Sequence, residues 1–403
     1  MSAHSLMTQF PLPADRQVTL ANWRKPPFNR WSFHHVNELV PSAPIRNDPA
    51  RVGRLPEGAG DFSSFSVQGS GGRLDLEGFL EATYTDAVVV LHRGRLVLER
   101  YAPGMDARTP HILMSVSKSV LGLVAGILID EGILELGTKI TSVVPEMAGT
   151  AFEGTTVRDL LDMRVGVLFD ENYLASAGPI IEYRKAQLWD PLDPGDLPSD
   201  LRSFISGLRD RDGAHSDRFH YVSPNTDLLG WVIERSAARR YADLVSELLW
   251  QPMGAEADAY ITVDRLGAPR CAGGLCATAR DLARIGRLFA TEGSVAGRQV
   301  VSAHWLEDIL TAGDGQAWQR GDFTDLFSTI NMHYRSKWYV ERGPRPIVFA
   351  LGVFGQNVFT DPAADLVIAK VSSQPLPLDR DFSILTHAGI AEIRRLFEAG
   401  ALA

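Results

Sequence analysis

One apolar segment, Met114 to Gly132, constrains this chain more than any other feature of the sequence. Small residues at Gly122, Ala125 and Gly126 and the length of the run predict a helix that is buried on all sides, and Gly132 is suited to end it. A helix of this kind needs a large core around it. The chain has 403 residues, which is enough to supply one.

The buried helix opens with Ser115-Val116-Ser117-Lys118. Residues three apart share one helix face, so the Ser115 hydroxyl and the Lys118 amine can meet. A serine is a weak nucleophile without a base, and a lysine can be that base only where burial lowers its pKa. Free N–H groups at the helix start could polarise a carbonyl above Ser115. A helix cap followed by a solvent-reaching lysine gives the same pattern, so the motif alone identifies no active site.

Two later segments strengthen the pattern. Tyr221-Val222-Ser223 precedes a helical run, and a tyrosine hydroxyl beside a lysine ammonium can pass a proton to a leaving group. Gly273-Gly274 precedes Cys276-Ala277-Thr278-Ala279-Arg280-Asp281-Leu282, and paired glycines let a backbone approach a site closely. Taken singly, the first is also typical of a core tyrosine and the second of a turn before a helix.

Local patterns predict the main elements. Asp86 to Tyr101 reads as a hairpin around Arg93-Gly94, and Thr156 to Leu161 as the start of a capped helix. Prolines make 172–217 loop-rich. Further helices are predicted at Thr226–Ser236, Tyr241–Trp250, Thr278–Glu292, Ala303–Ala312 and Arg380–Ala399. Strands are predicted at Pro346–Val353 and Leu366–Val371, joined through Asn357–Pro362.

The order of these elements predicts an α+β fold, in which an antiparallel sheet completed by both ends of the chain is flanked by helices. We expect an irregular N-terminal arm packed on the body over 1–61, an α/β domain over 62–150 and 276–403, and a mainly helical domain over 151–275. A cleft between the sheet and the helical part is the expected place for chemistry.

Charge and composition exclude several classes of protein. The net charge of −9 and the lack of a lysine-rich block argue against a nucleic-acid partner. The longest apolar run is about half the length that a membrane helix needs, and the first residues do not resemble a signal peptide. We therefore predict a cytoplasmic protein with no membrane partner. Cys271 and Cys276 fit no common zinc pattern, so two reduced thiols and no metal are expected.

The ordered set of S-x-x-K, Y-x-S and G-G-x-x-x-T-A-x-D-L resembles the class C β-lactamase and esterase family of penicillin-recognising serine hydrolases, over roughly residues 80 to 400. Other segments resemble the 6-aminohexanoate-dimer (nylon oligomer) hydrolases of that family, among them Asn29-Arg30-Trp31, Asp170-Glu171-Asn172-Tyr173 and Gly355-Gln356-Asn357. The resemblance implies a fold similar to β-lactamases and penicillin-binding proteins.

The resemblance also implies roles for individual residues. Ser115 would be the nucleophile, Lys118 and Tyr221 would handle its protons, and the backbone N–H groups of Ser115 and Val353 would form an oxyanion hole. The implied substrate-binding residues are Tyr173, Ser223, Trp338 and Phe354. The K-T-G position of the family falls on Ala350-Leu351-Gly352, so the cation with which β-lactamases hold a substrate carboxylate is missing. No cofactor is implied.

The function predicted from these observations is hydrolysis of linear amides of the 6-aminohexanoate-oligomer type and of short carboxyl esters, through an acyl-enzyme intermediate. The partner is then a small-molecule amide or ester, and a homodimer is possible. Two alternatives stay open: a carboxylesterase without amidase activity, and a catalytically silent binding protein on the same scaffold. The sequence contains no G-x-S-x-G, H-E-x-x-H or G-x-x-x-x-G-K-[ST] motif that would point to another chemistry.

Overall fold

The computed structural model describes residues 6–398. The strands are β1 Ser42–Ile45, β2 Val67–Gly69, β3 Gly72–Leu74, β4 Thr85–His92, β5 Arg95–Tyr101, β6 His111–Ile112, β7 Ala259–Thr262, β8 Leu275–Ala277, β9 Ser294–Val295, β10 Arg298–Gln299, β11 Met332–Arg335, β12 Trp338–Glu341, β13 Ile347–Gly352, β14 Gln356–Asp361 and β15 Leu366–Ser372. The α-helices are α1 Asn29–Ser32, α2 Leu76–Ala82, α3 Val116–Asp130, α4 Ile140–Val143, α5 Val157–Leu161, α6 Pro179–Ala186, α7 Leu201–Ser206, α8 Ser223–Ala237, α9 Tyr241–Val245, α10 Ala279–Ala290, α11 Ala303–Thr311, α12 Gly315–Gln319 and α13 Arg380–Glu398.

A seven-stranded antiparallel sheet, in the order β11-β12-β13-β14-β15-β4-β5, forms the centre of the fold. The β4–β5 hairpin turns at Arg93 and Gly94, whose φ angles of 49° and 71° are those of the turn that matches strand twist. Strand β15 then pairs with β4, so both ends of the chain complete one sheet. The predicted hairpin and the predicted α+β class are confirmed.

Each face of the sheet is covered by helices because its strands alternate between two apolar cores. On β4, Val89 and Leu91 face the core that contains α3 and α10, whereas Val88 and Val90 face the core that contains α2 and α13. This alternation is the period-2 pattern of a strand buried on both sides. Burying both faces leaves α3 enclosed between the sheet and the helical part of the chain.

Helix α3 is the predicted buried helix, and 13 of its 15 residues are buried. The small residues are required by close contacts: a Cβ at Gly122 would lie 2.1 Å from the Ser336 carbonyl oxygen, and one at Gly126 would lie 2.3 Å from the Trp305 ring. The helix is followed by Gly132, whose φ of 71° fits the left-handed end of a helix.

The region between residues 151 and 275 contains the helices α5 to α9 and the strand β7. Helix α5 has the expected cap, in which Thr156 and Asp159 bond each other's backbone N–H groups. The stretch 172–217 is loop-rich, as predicted, and it also contains the short helices α6 and α7. Its prolines did not prevent this, because Pro179 occupies the first turn of α6, where a missing N–H costs nothing.

The structure corrects the prediction for one segment and adds two strands. Asn357–Pro362 is not a connection, since most of it is β14, whose side chains are buried. Strands β11 and β12 were not predicted, because their polar and aromatic residues show no clear alternation. Ala399, the predicted last residue of the terminal helix, lies outside the described residues.

The N-terminal arm is more regular than predicted. It contains α1 and β1, and β1 pairs with β7 to begin a four-stranded sheet in the order β1-β7-β8-β6. The arm is tied to the body by Trp23, whose indole N–H donates to the Trp189 carbonyl at 2.8 Å. Between residues 6 and 398, no helix combines the length and the apolar character needed to cross a membrane.

Candidate active site

Ser115 lies immediately before the first residue of α3, and Lys118 lies one turn further on. The Lys118 Nζ donates to the Ser115 Oγ at 2.7 Å and to the carbonyl oxygen of Ala272 at 2.7 Å. The helical spacing therefore brings the two side chains together, as the sequence predicted. The second hydrogen bond, to Ala272, holds the Lys118 amine in this position.

The Lys118 amine is buried inside the protein, with 1% of the residue exposed. Burial lowers its pKa to about 7, and the nearby Arg270 cation acts in the same direction, against the effects of Glu171 and Asp227. Near neutral pH a large fraction of Lys118 is thus uncharged, and an uncharged amine can accept a proton from a serine hydroxyl.

Tyr221 comes from a different part of the chain, two residues before α8. Its ring centroid lies 5.0 Å from the Lys118 Nζ. Burial raises the pKa of the Tyr221 hydroxyl, while hydrogen bonds with Ser115 and Tyr339 act in the opposite direction. The phenol therefore stays protonated at neutral pH and has Ser115 within reach, so the structure brings all three predicted side chains into one group.

The end of β13 lies directly beside the turn that carries Ser115. A Cβ at Gly352 would lie 2.7 Å from the Leu113 carbonyl oxygen, so only glycine allows this approach. As a result Val353, the next residue, lines the same two cavities as Ser115. Ser115 and Val353 are the two residues whose backbone N–H groups the family resemblance implies for an oxyanion hole.

Glu171 is a site residue that the sequence reasoning did not single out. Its carboxylate accepts hydrogen bonds from the Tyr173 hydroxyl, from the Ser223 hydroxyl and from the Ser223 backbone N–H. It thereby connects the loop between α5 and α6 to the first turn of α8. The available signal was its place in the Asp170–Tyr173 segment, where it precedes the predicted tyrosine by two residues.

Two cavities meet at Ser115. The first has a volume of about 610 Å³ and the second about 350 Å³. Ser115, Tyr173 and Val353 line both, whereas Ser223 lines only the first and Tyr221 only the second. A linear molecule whose reactive carbonyl lies at Ser115 can therefore extend in two directions.

The remaining two predicted substrate-binding residues have different outcomes. Phe354 lines the first cavity and packs edge-on against Phe33 of the arm, with ring centroids 5.1 Å apart. The prediction for Trp338 is wrong. Its side chain is fully buried in the core, with its ring centroid 4.7 Å from that of Phe289, because β12 turns this face of the sheet toward α10.

A buried ion pair between Arg270 and Asp227, which the sequence did not predict, holds the backbone that contacts Lys118. The Arg270 Nη1 lies 2.5 Å from the Asp227 Oδ2, and the other oxygen of Asp227 accepts the Ala272 N–H at 2.8 Å. Tyr183 donates its hydroxyl proton to the same carboxylate. Asp227 thus holds Ala272, whose carbonyl in turn accepts the Lys118 amine.

Within the part of the chain that the structure describes, no group of three or more His, Cys, Asp or Glu side chains could hold a metal ion. Both cysteines are buried as free thiols. What the site can do follows from its serine, its amine and its phenol: a serine hydroxyl beside an uncharged amine can act as a nucleophile toward a carbonyl group.

Comparisons with known proteins agree with this arrangement. A family model described as Beta-lactamase matches residues 76–391. The 6-aminohexanoate-dimer hydrolase of Paenarthrobacter ureafaciens is 36% identical over 392 residues, which are 97% of this chain and 97% of that protein.

Solved structures show the same relationship. A protein of Bacillus anthracis, described as a candidate 6-aminohexanoate-dimer hydrolase, superposes with a TM-score of 0.86 and 28% identity, and the match covers 96% of this chain and 99% of that one. EstCE1, a hydrolase with promiscuous acyltransferase activity, matches with a TM-score of 0.59 and 16% identity, over 80% of this chain and 98% of its own. The latter likeness shows the fold alone.

We predict that Asp227→Asn lowers the free energy of unfolding by about 3 kcal/mol, because it leaves the Arg270 cation buried without a counter-charge. Urea denaturation measures the loss. Glu247→Gln is the matched control, since it removes an ion pair with Arg239 in which both side chains are largely exposed, and it should cost less than about 1 kcal/mol. Equal losses in the two variants would contradict a structural role for the buried pair.

Proposed function

We propose that this chain, which belongs to the beta-lactamase family and is a serine hydrolase, cleaves linear amides of the 6-aminohexanoate-oligomer type and short carboxyl esters through an acyl-enzyme formed on Ser115. The observation that carries the proposal is the 2.7 Å contact of the Lys118 amine with the Ser115 hydroxyl inside the protein. The two relatives that are named 6-aminohexanoate-dimer hydrolases support the amide substrate, since both match nearly the whole chain.

The acylation step follows from the positions of the three side chains. Neutral Lys118 takes the proton of Ser115 as its oxygen attacks the substrate carbonyl. The N–H groups of Ser115 and Val353 stabilise the negative charge on the carbonyl oxygen. The carbon–nitrogen bond breaks only when the leaving nitrogen gains a proton, and Tyr221, which stays protonated, donates it. Lys118 then returns its proton to Tyr221, 5.0 Å from the ring centroid.

Deacylation repeats these steps with water in place of the serine. Water loses a proton to the Lys118–Tyr221 pair, its oxygen attacks the acyl carbon, and Ser115 leaves with a proton. Glu171 does not take part directly in this scheme. Its three hydrogen bonds hold Tyr173 and Ser223 at the edge of the site, where the substrate must lie.

We expect Ser115→Ala to abolish turnover of p-nitrophenyl esters and of the 6-aminohexanoate dimer, by about three orders of magnitude or more, because no acyl-enzyme can form. A fluorophosphonate probe followed by peptide mapping should label Ser115 and should leave this variant unlabelled. Ser176→Ala, which removes an exposed hydroxyl from the wall of the first cavity, is the control and should be labelled normally. Activity of Ser115→Ala within tenfold of wild type would remove Ser115 from the role of nucleophile.

The rate of acylation should rise with pH and level off above about 7. Lys118 acts as a base only when it is uncharged, and with a pKa of about 7 the uncharged fraction grows tenfold per pH unit below that value. The measurement is kcat/KM for a neutral p-nitrophenyl ester between pH 5 and 9. Lys118→Arg should be inactive over this range, because a guanidinium does not lose its proton. A flat profile in wild type would contradict the assignment of Lys118 as the base.

Tyr173→Phe should reduce amide turnover about tenfold more than ester turnover. The Tyr173 hydroxyl donates its proton to Glu171, so its oxygen is free to accept the N–H of a scissile amide and to orient the nitrogen toward Tyr221. Esters have no such hydrogen and lose nothing.

Kinetics of the 6-aminohexanoate dimer and of p-nitrophenyl butyrate, measured on the same preparations, give the comparison. Tyr84→Phe, at an exposed tyrosine, is the control. Equal losses on both substrates would show that Tyr173 only packs at the site. If wild type cleaves no amide, the protein is a carboxylesterase without amidase activity.

A further inference from the structure

Tyr221 lies in a connecting segment before α8, so its position depends on the segments that contact it. Its backbone N–H donates to Oδ2 of the Asp322 carboxylate at 2.7 Å. Asp322 lies 101 residues further along the chain, in the loop between α12 and β11. The Asp322 N–H donates in turn to the Phe219 carbonyl oxygen at 3.0 Å. The two segments therefore bond each other at two points, one of which is Tyr221 itself.

His220 holds the Asp322 carboxylate in this position. The His220 Nδ1 lies 3.1 Å from the same Asp322 oxygen, and the His220 Nε2 lies 3.0 Å from the Val167 carbonyl oxygen. A carboxylate and a carbonyl only accept hydrogen bonds, so both ring nitrogens donate and the imidazole carries a positive charge. Burial opposes this charge, but the hydrogen bond and the negative charge of Asp322 outweigh burial and raise the pKa of His220.

The residue after Asp322 contacts the ring of the same tyrosine. The ring centroid of Phe323 lies 5.2 Å from that of Tyr221. The φ angle of Phe323 is 66°, in the left-handed region that an aromatic residue rarely adopts. Such a conformation persists only where the surrounding contacts hold it, and it is found most often at functional sites. The loop between α12 and β11 thus contacts both the backbone and the side chain of Tyr221.

We propose that Asp322, held by His220, is a positioning residue for Tyr221: its carboxylate keeps the phenol where it can protonate a leaving group at Ser115. The inference rests on the proposed function, in which Tyr221 supplies that proton. Proton transfer requires the donor and the acceptor to lie within hydrogen-bond reach, and a small displacement slows it. The loss of Asp322 therefore affects most the substrates whose leaving group departs poorly as an anion.

Three esters of butyric acid separate this role from a general loss of structure. The p-nitrophenyl and p-methoxyphenyl esters have nearly the same shape, but p-nitrophenolate departs without a proton, whereas the more basic p-methoxyphenolate departs faster with one. Ethoxide, the leaving group of ethyl butyrate, is the most basic of the three and needs the proton most. The measurement is kcat/KM, which reports the steps up to acylation and is unaffected by the deacylation step that the three esters share.

We expect Asp322→Ala to lower kcat/KM about tenfold to a hundredfold for ethyl butyrate, less for the p-methoxyphenyl ester and less than about threefold for the p-nitrophenyl ester. Asp322→Asn keeps an acceptor for the Tyr221 N–H and should retain most of the activity. Asp212→Asn is the matched control. Both carboxylates lie near Arg218, at 2.8 Å for Asp212 and 3.7 Å for Asp322, and their side chains are 29% and 30% exposed. Equal losses on all three esters in Asp322→Ala, or the same graded losses in Asp212→Asn, would overturn the proposal.

Two variants of His220 test whether it acts through Asp322. The amide nitrogen of an asparagine lies near the position of the imidazole Nδ1, and that of a glutamine near the position of Nε2. His220→Asn can therefore keep the hydrogen bond to Asp322, and His220→Gln can keep the one to Val167. We expect His220→Gln to show the graded losses of Asp322→Ala and His220→Asn to resemble wild type. Equal effects of the two variants, or the reverse order, would contradict the role of His220.

A measurement on the resting protein separates this inference from the proposed function. With 3-fluorotyrosine in place of Tyr221, fluorine NMR reports the environment of the ring without turnover. We expect Asp212→Asn to give the spectrum of wild type and Asp322→Ala to shift or broaden the resonance, because the ring is no longer held in one position. An unchanged resonance in Asp322→Ala would overturn the proposal even if the hydrolase activity stands. If wild type cleaves none of the esters while the resonance changes as expected, the proposed function fails and the positioning of Tyr221 by Asp322 remains.

Discussion

The burial of one amine is the constraint on which the rest of the site depends. Lys118 sits one turn inside a helix whose residues are almost all buried, so its amine cannot reach bulk water. Desolvation makes the charged form costly and brings the pKa to about 7, which leaves a large fraction of the amine uncharged at neutral pH. The same burial requires that each hydrogen bond of the amine be supplied by the protein, and Ser115 and Ala272 supply two.

The groups that surround the amine are held by long-range contacts. Ala272 is fixed by Asp227, which is neutralised by Arg270, and the guanidinium of Arg270 lies over the rings of Tyr183 and Trp189 at 4.7 and 5.3 Å. A buried ion pair of this kind adds little net stability, but losing one partner is expensive. Here the pair holds the Ala272 carbonyl, which accepts a hydrogen bond from Lys118, in one place. It also places the Arg270 cation near the Lys118 amine.

The N-terminal arm shapes where a substrate can lie. Trp23 and Phe33 pack against Trp189 and Phe354, and the arm closes one side of the first cavity. The cation of Arg24 also comes from the arm and pairs with Asp190 in the wall of this cavity. The shape of this cavity is therefore a result of how the arm packs on the body.

The sequence by itself determined the features that depend on short spacing. A separation of three residues on an apolar helix places Ser115 beside Lys118, and two β-rich runs around Arg93-Gly94 make a hairpin. The ordered motifs were enough to identify the family, the α+β class and the serine-hydrolase chemistry. Only the tertiary structure decided that Glu171 meets Ser223, that Asp227 pairs with Arg270 and that Trp338 faces the core. The reason is physical: local geometry is set by neighbouring residues, whereas a contact between distant residues depends on which segments the whole core brings together.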